Sequence, residues 1–132
     1  MKKLKLEDTC LTIEQAKELK ELGVDFSNAI MAFIDFYDEN KHEYELVRNM
    51  SIGAYDIIPT LTNTEMLEML PKVMISEDES IFTLMLERSK LGRYTIGYVD
   101  GETRRYSVAI FNDSIRDLLF DMLKWLKTNK LI

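Results

Sequence analysis

The chain has 132 residues, 17 basic and 23 acidic side chains and a formal net charge of -6, with 46% hydrophobic, 10% aromatic and 30% charged residues. Those proportions exclude disordered, collagen-like and coiled-coil classes, and the length suits one core better than two. The longest apolar run, Ala29 to Ile34, falls far short of the roughly 20 residues that a membrane helix needs.

The opening Met1-Lys2-Lys3-Leu4-Lys5-Leu6-Glu7-Asp8 turns acidic before any apolar stretch, so it does not read as a secretory signal. Cys10 is the only cysteine, which leaves no internal disulfide and suits a reducing compartment. A cytoplasmic protein without membrane attachment is expected.

The first helix is announced by Leu11-Thr12-Ile13-Glu14-Gln15-Ala16. Thr12 can accept from the Gln15 amide while the Gln15 side chain reaches back, a capping box, with Leu11 packing toward Ala16. Ile13, Ala16, Leu19 and Leu22 form the apolar face, and Gly23 supplies a left-handed residue after the helix. Ala29 to Tyr37 is dense in aromatic and β-branched residues and reads as a strand, although Ser27 or Asn28 could equally cap a buried helix there. Tyr44 to Arg48 is its expected partner across the polar stretch Asp38 to Glu43, and residues 49 to 58 show no clean period.

Leu61-Thr62-Asn63-Thr64-Glu65-Met66 repeats the capping device, and the helix that follows must stop near Leu70 because Pro71 disfavours the α conformation before it. Pro59 keeps the approach to this helix extended. Three strands follow, Ile81 to Glu87, Arg93 to Val99 and Thr103 to Phe111, as a meander with turns at Ser89 to Gly92 and Asp100-Gly101. A three-residue loop with Gly101 at positive φ would set Tyr94, Ile96 and Tyr98 on the face of Tyr106, Val108 and Ile110, whereas a two-residue loop would place Ile96 opposite Arg105. The longer loop keeps the apolar rows together and is expected.

Asn112-Asp113-Ser114 caps a last helix running to about Thr128, with Ile115, Leu118, Leu119, Met122, Leu123, Trp125 and Leu126 on one broad face. Phe120 falls on the opposite side, among Arg116, Lys124 and Lys127. The resulting expectation is a single α+β domain over residues 1–132, one antiparallel sheet of about five strands with three helices mainly on one face.

Leu11-Thr-Ile-Glu-Gln-Ala-x-x-Leu-x-x-Leu-Gly23, Ile58-Pro-Thr-Leu-Thr-Asn-Thr-Glu-Met-Leu-Glu-Met-Leu-Pro71 and the closing run Ile115 to Leu126 resemble a group of small uncharacterised proteins of gut Bacteroidetes and their prophages. The likeness rests on cap, apolar and turn residues. It implies an α+β domain in a mobile-element setting, and it carries no catalytic residues over.

One histidine, His42, and one cysteine cannot assemble the usual zinc ligand sets within one chain. A nucleophilic pair of Cys10 with His42 is the weaker reading beside an inert thiol. The seven serines lack a Gly-x-Ser-x-Gly context, and five glycines form no phosphate-binding loop. The carboxylates Asp35, Asp38, Glu39 and Glu77, Asp78, Glu79 lack EF-hand spacing and suit polar turns. No cofactor and no enzymatic activity are expected.

Charge is segregated along the chain. Residues 1 to 87 carry 8 basic and 18 acidic side chains, a balance of -10, and residues 88 to 132 carry 9 basic and 5 acidic, a balance of +4. Arg88, Lys90, Arg93, Arg104 and Arg105 surround a hairpin bearing Tyr94, Tyr98 and Tyr106, the composition of a single-stranded nucleic-acid platform and also of an edge protected against aggregation. The expected function is a small non-enzymatic binding or accessory protein acting on a protein partner or as a homodimer. Phe120, Arg116, Lys124, Tyr94, Tyr98, Arg104 and Arg105 are the candidate contact residues. Nucleic-acid binding through the hairpin of residues 88–106 is the alternative.

Overall fold

A computed structural model describes residues 5–35, 43–49 and 56–132. The α+β class holds: the described residues form three α-helices and two antiparallel sheets, of three and four strands, in place of one sheet of about five. The chain, expected as one domain, divides into two compact units, Met1–Glu65 and Met66–Ile132.

In the first unit a short 3-10 turn at Leu6–Thr9 precedes α1 (Ile13–Glu21). The capping box forms as expected: the Gln15 amide donates to Thr12 Oγ1 at 3.2 Å and the Thr12 amide donates to Gln15 Oε1 at 3.0 Å. Gly23 takes φ of 96°, the left-handed residue that closes the helix. The run from Ala29 is a strand, β1 (Met31–Asp35), and lies between β2 (Glu45–Arg48) and β3 (Asp56–Thr60). Phe36, Tyr37, Asp38, Glu39, His42 and residues 50–55 lie outside the described residues.

β3 falls where no period was legible. It contains Pro59, opposite Ala32, and a residue without an N–H is tolerated on an edge strand, where that position has no neighbour to bond. β3 is such an edge, and the remaining strands form a sheet of their own. The core of this unit is Leu11, Ala16, Leu19, Ala32, Ile34 and Leu61, all essentially inaccessible. The buried Thr60 hydroxyl donates to the Leu11 carbonyl at 2.9 Å, so its burial leaves no polar group unmet.

The second capping box also forms, with the Glu65 amide donating to Thr62 Oγ1 and the Thr62 amide to Glu65 Oε1, both at 3.1 Å. The helix it starts, α2 (Asn63–Met69), carries the chain across the boundary and ends before Pro71.

The second unit is a meander in the order β4 (Val73–Ile75), β5 (Ile81–Arg88), β6 (Tyr94–Asp100) and β7 (Tyr106–Asn112), followed by α3 (Ile115–Thr128) against β6 and β7. Ser114 caps α3, accepting from the Asp117 amide at 3.3 Å. Ile96 pairs with Ile110 and Tyr98 with Val108, so this part of the expected register is observed. Two details differ.

Gly101 does not carry positive φ; Arg104 does, at 61°. Asp100 Oδ1 accepts from the amides of Glu102 at 2.8 Å and Thr103 at 3.4 Å, and its own amide donates to the Arg105 carbonyl at 2.8 Å. The side chain of Asp100 therefore organises a loop longer than three residues, as Asp does when it folds the backbone that follows it. Second, the ladder shifts between Tyr98 and Val99, so that Val99 faces Tyr106 and Ser107 is an extra residue. This bulge turns Tyr106 to the opposite face from Ile96, contrary to the expected pairing, because one extra residue reverses the alternation.

Candidate functional site

The meander has two unlike faces. One carries Leu84, Leu86, Ile96, Tyr98, Val108 and Ile110 by register and lies under α3. Ile96 and Tyr98 are fully buried there, as are Leu118, Met122, Leu123 and Leu126 of the helix. The Tyr98 hydroxyl donates to the Pro71 carbonyl at 2.7 Å, and burial pushes its phenol up to about 12.

The other face carries Val73 and Ile75 of β4, Ile81, Thr83, Met85 and Glu87 of β5, Thr95, Gly97 and Val99 of β6, and Tyr106, Ala109 and Phe111 of β7. Val73, Ile75, Ile81, Tyr106 and Phe111 are all exposed, Ile75 at 70% and Phe111 at 59%. An antiparallel sheet with one covered face normally shows water a polar second face. This one exposes large apolar side chains on three of its four strands, with Thr83, Thr95 and Glu87 as its polar members.

Gly97 has a specific role in it. A β-carbon there would strike the Val108 carbonyl oxygen and come within 2.6 Å of Tyr106 Cδ1, so the tyrosine ring lies across the glycine. The missing side chain makes a seat for the aromatic ring, and the bulge at Ser107 aims the ring at it.

The residues proposed from the sequence are not brought together. Tyr98 is buried beneath α3, and Tyr94 shares that face, with the Arg88 guanidinium 5.5 Å from its ring centre. Arg104 and Arg105 sit in the loop at the opposite end of β6 from Arg88, Lys90 and Arg93. Tyrosines and arginines therefore share no single platform, because hairpin neighbours in sequence are separated by the length of a strand.

Phe120 is 8% exposed, so the expectation of an exposed ring fails. Leu118, Leu119 and Phe120 are consecutive and all buried, which spans about 200° of the helix at 100° per residue. A wheel that counts apolar residues on one face misses a helix covered over more than half of its circumference. Lys124 Nζ lies 6.0 Å from the Phe120 ring centre, and Arg116 Nε pairs with Asp117 Oδ1 at 3.1 Å.

Cys10 is fully buried; burial pushes its thiol up, the Glu65 carboxylate adds to that, and a hydrogen bond with Thr9 opposes it. No cluster of three or more His, Cys, Asp or Glu side chains is placed to hold a metal ion among the described residues. A cleft of about 420 Å³ opens at one end of the meander, lined by Asp78, Glu79, Ile81, Thr83, Asp100 and Glu102. Hydrogen bonds from the Ser76 and Ser80 side of that turn hold the Asp78 carboxyl below its usual range. No helix among the described residues is long and apolar enough to cross a membrane.

No family model, no curated protein and no solved structure matches this chain.

Proposed function

We propose that this is a small non-enzymatic binding or accessory protein that works by protein contact through the open face of the β4–β7 meander. One observation carries the reading: five large apolar side chains, Val73, Ile75, Ile81, Tyr106 and Phe111, are exposed together on one face of one sheet. Single exposed apolar residues are ordinary on protein surfaces, whereas a continuous patch on a rigid element marks an interaction surface. The raised thiol pKa and full burial of Cys10 leave it a poor nucleophile, which agrees with a binding role.

The test is association of the full chain, with itself and with proteins captured from a lysate of its source. Phe111→Lys is expected to abolish such association while Arg104→Ala with Arg105→Ala leaves it intact. Association that survives Phe111→Lys and Ile75→Lys together, or is lost with the two arginines, overturns this surface. Nucleic-acid binding predicts the reverse: steeply salt-sensitive affinity for single strands that depends on Arg104 and Arg105.

A further inference from the structure

We infer that the open face is occupied by a second copy of this chain, related by a twofold axis lying between the two sheets at right angles to their strands; this rests on the protein-contact reading above. Two features of the face call for that symmetry.

The first is the placement of its aromatic residues. Tyr106 and Phe111 lie on the same open face near opposite ends of β7, Tyr106 beside Val99 and Phe111 beside Thr95. A twofold axis across the strands lays β7 antiparallel over its counterpart, so each Phe111 meets the other copy's Tyr106. An axis along the strands would not superpose them. Because a twofold contact repeats itself, the two aromatic pairs form together.

The second feature is charge. The end of the meander formed by the turns 76–80 and 101–105 holds Glu77, Asp78, Glu79, Asp100 and Glu102 against Arg104 and Arg105. The turn 89–93 at the other end holds Lys90 and Arg93; Arg93 pairs with Asp113 at 3.5 Å, Arg88 lies over Tyr94 on the covered face, and Glu87 lies on the open one. The same axis exchanges the ends, so the acidic turns of one copy meet the Lys90 and Arg93 turn of the other twice over. The basic turn also carries Leu91, 97% exposed, and the exchange brings it toward the cleft lined by Ile81 and Thr83 at the acidic end.

Area explains why the ends matter. Four strands about 4.8 Å apart and residues about 3.3 Å apart give a face of roughly 400 Å² in projection. A standard interface takes about 800 Å² from each partner, so the turns at both ends must be part of it and their charges must agree.

Light scattering and sedimentation equilibrium of the full chain, over micromolar to submillimolar concentrations, test this. The wild type is expected to dimerise. Glu77→Lys with Glu102→Lys makes both ends basic, and Lys90→Glu with Arg93→Glu makes both acidic; each is expected to weaken the dimer tenfold or more. All four positions are exposed, and circular dichroism checks that the fold is kept. An equimolar mixture of the two variants restores opposite signs at both ends and is expected to recover the dimer as a heterodimer, which simple damage to the fold would not do.

A wild type that stays monomeric throughout overturns the second copy as occupant. If Phe111→Lys then still abolishes capture of another protein, the contact reading survives without the homodimer; if nothing is lost, both fall. A dimer that the mixture fails to restore overturns the antiparallel geometry.

Discussion

The two faces of the β4–β7 sheet are built from the same alternating strands, yet one is sealed by α3 and the other is open. On the sealed face Ile96, Tyr98 and Leu123 are inaccessible, and the one polar atom that Tyr98 takes inside finds the Pro71 carbonyl. On the open face Ile75 and Phe111 spend most of their surface in water. Apolar content alone does not tell a core from a contact surface. What distinguishes them is whether an element of the same unit is long enough and amphipathic enough to lie over them. Only α3, of 14 residues, does so in this unit, and it lies on one face.

Substitutions on the two faces sharpen that contrast. The largest effect is expected at Leu123→Ala, which removes a fully buried side chain between helix and sheet and is expected to cost about 2–5 kcal/mol in chemical denaturation. An effect near zero would mean that α3 does not seal this face.

Next in size is the alkaline limb of stability. The Tyr98 phenol ionises near pH 10 when unfolded and at about 12 when folded. Between those values the folded state keeps a proton that the unfolded chain has released. Stability is thus fully present below pH 10 and falls by about 3 kcal/mol as pH rises through 12. Tyr98→Phe is expected to flatten that limb, and the difference between the two pH profiles isolates the residue from the other tyrosines.

Gly97→Ala probes the floor of the open face. Its β-carbon meets a backbone oxygen as well as the Tyr106 ring, so the strand itself has to shift, at roughly 1–3 kcal/mol. Tyr106→Ala in the same chain relieves only the ring contact and is expected to rescue part of the loss, not all.

The smallest effect is expected at Phe111→Ser on the open face. Measured at concentrations where the chain is monomeric, it is expected to change stability by no more than about 0.5 kcal/mol. A loss as large as that of Leu123→Ala would place Phe111 in the core and abolish the contrast between the two faces.

Much of the local structure was legible because its causes are local. Thr12 with Gln15, Thr62 with Glu65, and Ser114 each satisfy amides three residues away, so the helix starts need no distant partner. The strands 81–88 and 94–100 follow their alternation for the same reason, and 106–112 does so beyond its bulge. β4, of three residues, is too short to show a period, and β3 was hidden by Pro59 until β1 provided an edge for it. The candidate contact residues were read less well. Tyr94 and Tyr98 share the face beneath α3, Arg104 and Arg105 lie at the far end of the strand, and Phe120 is buried.

By itself, then, the sequence determined the helix caps, the presence and order of the three long strands and the even pairing of Ile96 with Ile110, while β7 starts at Tyr106 and not at Thr103. The division into two sheets, the burial of Phe120 and the face on which Tyr106 lies were decided by the tertiary structure. The physical reason is range. A cap is completed within one helical turn, whereas a side chain's face depends on one extra residue in a ladder. Its exposure depends on what packs above it, and neither is written at the position itself.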